Sequence, residues 1–402
     1  TDQVSTTSYR LRETGRGKGI QTMNAKTSSS VAGAVDFTDT DNNWNNVNAQ
    51  LDEAATDAHW ATEMTYDYFM KVHNRNSIDG QGYKLISYVH FGEDMDNAFW
   101  DGKHMSYVDG LAKDGKPFTT VDIGGHEITH GLTTNTANLV YKDESGALNE
   151  SFSDIFGNMV EYYAKPATAS WELGEDIGAT RDMKNPGAYK HPDTYKGTNW
   201  KTGPDDNGGV HTNSGVQNKW FYILSMGEKG TNDINKAYDV TGITREKAAK
   251  IAFRNLTTYL TSSSNYAEAR TNSLKAAKDI FGECSAEYIA TGNAWYAVGI
   301  GEKVCTNTSV PDFNSNKITF KAALIYPNPA NEVFFIDIPV SENKEISVQL
   351  YSVIGKLVYT EIYSNNGQPH QVDLGSIHAE GIYFLKLQSG NEQVTKKVTI
   401  TK

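Results

Sequence analysis

Two histidines four residues apart, His126 and His130, bracket Glu127 in the string HEITH. On a helix, positions i and i+4 share a face, so both imidazoles can reach one metal ion. The carboxylate between them faces the metal's open side, placed to take a proton from bound water. Two imidazoles leave a tetrahedral zinc with two vacancies, and hydrolytic chemistry needs one more protein ligand and one water. A third histidine ten residues after the first, behind a glycine, is one solution. Thr133 and Thr136 stand at those positions, which excludes it.

The alternative is a carboxylate from a second helix, and the segment SGALNESFSDIFG, Ser145 to Gly157, supplies one. Leu148, Phe152, Ile155, Phe156, Met159, Val160 and Tyr163 recur at three- and four-residue steps, which predicts an amphipathic helix. Glu150 and Asp154 fall one turn apart on its other face. Glu150 can ligate the metal, while Asp154 accepts a hydrogen bond from a ligand imidazole and fixes its tautomer.

With these strings in place the chain resembles the thermolysin-like neutral metalloproteases, the M4 peptidase family. HEITH, the gap from His130 to Glu150, SGALNESFSDIFG, NAFW at Asn97–Trp100 and DNGGVHTNSG at Asp206–Gly215 all fit it, and the likeness runs from about residue 10 to about residue 300. The resemblance implies an α+β fold with a two-lobed catalytic domain. A β-rich N-terminal lobe, residues 1–135, ends in the HExxH helix, and a helical C-terminal lobe spans 136–306. It further implies a secreted zinc endopeptidase that cuts on the N-terminal side of apolar residues. A protein that kept the fold only for surface or matrix binding would typically lose Glu127, His211 or a ligand, and this chain keeps all of them.

Roles carry over one residue at a time. One zinc would be held by His126, His130 and Glu150, with Glu127 taking the proton of its bound water and passing it to the leaving amine. His211 matches the donor that meets the oxyanion, Asp206 the carboxylate that orients it, and Tyr141 a second donor. Asn97 and the backbone of Ala98 match the groups that bind the substrate's main chain, and Arg181 the one that holds the P1′ carbonyl. Ile123 and Thr180 would line the P1′ pocket. Asp122, Glu161, Glu172 and Glu175 match positions around the family's calcium site. Ser170 replaces a bridging carboxylate and the stretch from Glu175 to Arg181 is short, so one calcium is expected rather than two. His59, His73 and His191 receive no role.

Composition is consistent with an exported enzyme. Among 402 residues, 49 are acidic and 37 basic, a net charge of −12 with no Lys/Arg cluster, which makes nucleic acid and anionic membranes poor partners. No apolar run approaches a membrane span. The chain starts at Thr1, which reads as a mature product, and the resemblance implies an inhibitory pro-segment removed before it. The expected partners are polypeptide substrates, with the enzyme itself a monomer. Outside the cytosol the two cysteines, Cys284 and Cys305, are better read as a bridge than as two free thiols.

Several elements must position these groups. Alternating stretches such as Lys84–Phe91 predict strands in the first 120 residues, interrupted by a helix near Ala49–Val72. From residue 121 the pattern turns helical, with Thr244 as a cap before one apolar stripe and a second stripe running from Asn265 to Phe281 through Leu274, Ala277 and Ile280. Gly124-Gly125 directly precedes HEITH, so either the helix starts late or its bare backbone admits a neighbour. Residues 307–322 read as a linker. Residues 323–402 read as a small β-sandwich of about seven strands parted by Gly/Asn turns. The segments YPNPA, LYSVIGK, AEGIYF and the basic terminal strand resemble the C-terminal sorting domain of type IX secretion cargo. That resemblance implies the type IX machinery as a partner and a cell-surface or extracellular destination after periplasmic transit. A sugar- or protein-binding sandwich is the alternative.

Overall fold

A computed structural model of the chain describes residues 1–45, 52–110, 116–305, 323–338, 344–377, 379–390 and 392–401. The chain divides into two compact units, Thr1–Cys305 and Thr306–Lys402, each with its own apolar core. The linker expected at 307–322 lies outside the described residues.

In the first unit the alternating stretches become a mixed sheet. Its strands lie in the order Arg12–Glu13, Ile20–Asn24, Leu85–Val89, Met105–Tyr107, Ala98–Trp100, with Val35–Asp36 also paired to Ile20–Asn24. Ile20–Asn24 and Leu85–Val89 run parallel, a pairing that needs a long crossover connection. Helix α1, Glu53–His73, lies in that crossover and buries Ala54, Ala55, Ala58 and Ala61. Among the described residues Ala98–Trp100 pairs on one side only, leaving an edge whose backbone groups are unclaimed by the sheet. The histidines without an assigned role include packing groups, His59 buried and His73 half-buried. His59 bonds Thr22 at 2.9 Å, and His73 stacks on Phe253 at 4.1 Å.

Two central helices follow, α2 at Val121–Thr134 and α3 at Asp143–Ala164. Both glycines before HEITH lie inside α2, so the helix does not start late. A Cβ on Gly124 would lie 2.6 Å from the Ala61 Cβ of α1, and one on Gly157 of α3 would lie 2.5 Å from the Asp122 carbonyl oxygen. Side chains there would force the helices apart. The lost helix propensity, about 2 kcal/mol for the two glycines, is offset by backbone-close packing of the helices that carry the histidines and Glu150. Helix α3 departs from its amphipathic expectation, because every residue from Gly146 to Glu161 is buried. Its polar side faces inward, with Glu150 1% and Asp154 0% exposed.

The helical lobe adds α4 at Asp206–Asn213, α5 at Gly215–Met226, α6 at Arg245–Arg254, α7 at Tyr266–Phe281 and α8 at Ala286–Ala297. Trp220 of α5 stacks on Trp295 of α8 at 4.7 Å in the centre of this lobe. Asn265 closes a reciprocal capping box with Glu268, whereas Thr244 precedes α6 without a side-chain cap bond. Leu274 and Ala277 are buried as their stripe predicts, but Ile280 is exposed. Cys284 and Cys305 form a disulfide that brackets α8.

The second unit has seven strands among its described residues. A three-stranded sheet has the order Leu324–Tyr326, Val333–Asp337, His370–Asp373, and a four-stranded sheet has the order Leu357–Asn365, Lys344–Ser352, Gly381–Ser389, Glu392–Ile400. Phe334, Ile336 and Val372 from the first sheet share one core with Ile346, Val348, Leu350, Leu385 and Leu387 from the second. The Asn328 side chain accepts from Thr399 N and donates to Lys397 O, fastening the proline-rich entry segment to the last strand. No helix among the described residues is long and apolar enough to cross a membrane.

Candidate metal centre

One turn of α2 separates His126 from His130, and α3 crosses beside them with Glu150. The ligand atoms of these three side chains all lie within 4.8 Å of one another, the one such group of His, Cys, Asp or Glu among the described residues. Nδ1 of His126 lies 2.8 Å from Oδ1 of Asp154, and Nδ1 of His130 lies 2.8 Å from Oδ1 of Asn149. Both partners are acceptors, so each Nδ1 carries the proton and each Nε2 presents a lone pair. Those two Nε2 atoms face each other at 3.1 Å, and Oε2 of Glu150 is buried, 3.5 Å from the His126 Nε2 and without a hydrogen-bond partner among the described residues. Three convergent electron-pair donors fit a cation, and two imidazoles with a carboxylate suit zinc. Burial pushes the Glu150 carboxyl up, yet His130, His126, His211 and Arg181 together hold it below the usual carboxylate range.

Opposite the histidines, His211 sits at the end of a short chain of hydrogen bonds. Its Nδ1 lies 2.6 Å from Oδ1 of Asp206, and Oδ2 of Asp206 accepts from the His211 backbone N–H at 3.0 Å. The carboxylate therefore fixes both the ring and the chain at that point. The Tyr141 hydroxyl donates to Oε1 of Glu150 and lies 3.0 Å from Nε2 of His211. Burial and Glu150 drive the Tyr141 pKa upward, so the phenol keeps its proton.

These groups open onto a cavity of about 460 Å³ lined by Ala98, Trp100, Glu127, His130, Tyr141 and His211, among others. A smaller cavity of about 200 Å³ shares Asn97, Ala98, His126, Glu127 and His211 with it. Its further wall is Asp96, Phe118, Ile123, Leu173, Thr180 and Arg181. Ile123 and Thr180 are among the residues singled out by sequence, whereas Phe118 and Leu173 are not. Asn149 was also missed, although its place beside Glu150 was an available signal. Arg181 has a second engagement, since its Nε and Nη2 hold the Asp154 carboxylate at 2.8 and 2.7 Å. Despite burial, Arg181 and His126 hold the Asp154 carboxyl far below the usual range.

Of the acidic residues singled out by sequence, Asp122 stands on α2, Glu161 on α3 and Glu172 in the short strand Glu172–Leu173, and among the described residues no three of them converge as the histidines and Glu150 do. Asp122 accepts from the Gly174 N–H, while Glu161 and Glu175 each have one buried carboxylate oxygen with no hydrogen-bond partner among the described residues. Burial, Asp122 and Glu175 push the Glu161 carboxyl up to about 8. The other Glu175 oxygen accepts from Ser170 at 2.9 Å, and Glu172 accepts from the Tyr189 hydroxyl at 3.4 Å.

Such a site on a strand-rich lobe joined to a helical lobe defines a class, and comparison with known proteins gives the family. Residues 1–134 match the thermolysin metallopeptidase catalytic domain, and residues 137–300 match its α-helical domain. The chain belongs to the thermolysin-like M4 metallopeptidase family. It is 44% identical over 308 residues to a bacillolysin of Bacillus cereus, covering 74% of this chain and 52% of that one. It is 42% identical over 300 residues to a thermolysin of Bacillus sp. (strain EA1), covering 73% and 53%. The chain thus spans about half the length of the curated relatives it matches. The solved precursor of protealysin, a metalloproteinase from Serratia proteamaculans, aligns with a TM-score of 0.59 at 29% identity, over 70% of this chain and 87% of that one. Residues 324–401 match a secretion system C-terminal sorting domain.

Proposed function

We propose that this chain is an exported zinc endopeptidase that cleaves peptide bonds before apolar residues. The observation that carries the proposal is the convergence of His126, His130 and Glu150 in a cavity that also holds Glu127 and the His211–Tyr141 pair. His126, His130 and Glu150 would hold the zinc, which would supply a Lewis acid to a water molecule and the scissile carbonyl. Glu127 accepts the water's proton and returns it to the departing amine. His211, kept in its tautomer by Asp206, and Tyr141 donate hydrogen bonds to the oxygen that gains negative charge. The edge strand Ala98–Trp100 takes the substrate as an added strand, with Asn97 and the Ala98 backbone bonding its main chain.

The side chain after the scissile bond enters the smaller cavity, between Ile123, Leu173, Phe118 and Thr180. Arg181 on its wall holds the adjoining carbonyl. Digestion of a peptide library, read by mass spectrometry, is expected to show cuts before Leu, Phe, Ile and Val, with Pro and charged residues disfavoured. Activity should vanish on chelation and return with zinc. Cleavage dominated by Lys or Arg on either side of the bond would refute the pocket, and hydrolysis indifferent to chelator would refute the metal.

A structural calcium held by Asp122, Glu161, Glu172 and Glu175 would relieve the repulsion that Asp122 and Glu175 exert on Glu161. An ion that binds only the folded chain stabilises it by mass action, and saturating calcium should raise the melting temperature by on the order of 5 °C. A melting curve unmoved by millimolar calcium sinks this site. The sandwich serves type IX export, and the family's pro-segment accompanies the enzyme before maturation.

A further inference from the structure

Asp154 holds His126, and the groups that hold Asp154 fall into two kinds. Arg181 spans the carboxylate with two nitrogens, at 2.8 Å to Oδ2 and 2.7 Å to Oδ1. It also lines the smaller cavity, within reach of a bound peptide. The second holder is Asn218 of α5, whose Nδ2 donates to Oδ2 of Asp154 at 2.8 Å. Its own Oδ1 accepts from the Ser151 hydroxyl at 2.7 Å. Ser151, Asn218 and Asp154 are 0%, 1% and 0% exposed, and Ser151 and Asn218 line neither cavity of the cleft.

A carboxamide turned end for end keeps its shape and reverses its chemistry. The Ser151 hydroxyl donating to the oxygen leaves the amino end facing Asp154. Oδ2 then carries two donors, neither of them a histidine, and the carboxylate cannot turn its Oδ1 away from His126 without breaking both. One of those donors comes from the cleft wall and the other from the sealed interior. We propose that Ser151 and Asn218 are positioning residues for the metal centre, fixing Asp154 from the interior so that Arg181 can engage a substrate carbonyl without releasing His126. The proposal rests on zinc binding at His126, His130 and Glu150.

The test uses the full chain, with zinc affinity measured by competition against a chromophoric chelator and folding followed by near-ultraviolet circular dichroism. Asn218→Ala is expected to weaken zinc roughly five- to thirty-fold, below or within the ~10–100-fold typical for a group that touches a ligand directly. Combined with Asp154→Ala it should add less than about twofold, because its effect passes through that carboxylate. Unchanged zinc affinity in Asn218→Ala overturns the proposal, as does a full additive loss on top of Asp154→Ala. Should Asn218→Ala fail to fold, Ser151→Ala removes only a hydroxyl. It is expected to weaken zinc about two- to fivefold, with Ser151→Thr restoring the affinity, and wild-type affinity in Ser151→Ala overturns the proposal. A wild-type chain that takes up no zinc refutes the metal assignment itself. A wild-type chain that binds zinc, with variants indistinguishable from it, refutes only the interior support.

Discussion

Replacing Glu127 with Ala lowers kcat/KM by about 10³-fold or more while leaving one zinc per chain. General acid–base groups contribute ~10²–10⁴-fold, and Glu127 is proposed to serve twice, receiving a proton from water and delivering it to the amine. Glu127 lines both cavities of the cleft but is not among the three convergent ligands. Its loss therefore removes a base without removing an electron-pair donor. Metal analysis alongside the assay decides the matter. Zinc lost together with activity would make Glu127 a ligand or a structural support, and the proposed division of labour would be wrong. Hydrolysis at wild-type rates would show that another group takes the proton.

Glu150→Ala has the opposite signature, losing the metal first and activity as a consequence. Glu150 is 1% exposed, and its Oε2 has no hydrogen-bond partner among the described residues. Its carboxylate is the negative charge on which His130, His126 and His211 converge, at 3.4, 3.5 and 3.5 Å. Without it two neutral imidazoles remain, and zinc affinity should fall by well over the ~10–100-fold that follows loss of an outer hydrogen-bond partner. The same change deprives the Tyr141 hydroxyl of its acceptor, so activity should stay low even in excess zinc. Glu150→Gln keeps an oxygen and removes the charge, and it should fall between the two. Wild-type zinc content in Glu150→Ala would exclude this carboxylate as a ligand.

The ligand set was legible in the sequence because it depends on local geometry. Once HEITH is a helix, the fixed rotation per residue brings His126 and His130 together, and the same rule sets Glu150 and Asp154 one turn apart on α3. The Asp206–His211 pair is close along the chain as well, five residues apart and joined by two hydrogen bonds. Sequence patterning also reached the sandwich strands, whose side chains alternate with period two, Tyr383, Leu385 and Leu387 pointing inward between exposed Ile382 and Phe384.

Only the tertiary structure decided the rest. Periodicity marked the Glu150 face of α3 as polar, but only packing shows that face sealed against α2 and α5, where His126 and Asn218 meet Asp154. Gly124 and Gly125 looked like a cost to their helix until the neighbours that occupy their missing side chains, Ala61 and Gly157, were in place. Tyr141 meets His211 across 70 residues of sequence, and Ser151 meets Asn218 across 67. Phe118 and Leu173 become pocket walls through the same long-range packing. Helical spacing fixes which side chains of one segment share a face. Which face of another segment comes to meet them is set by how the whole core packs, and that packing carries no short-range signature.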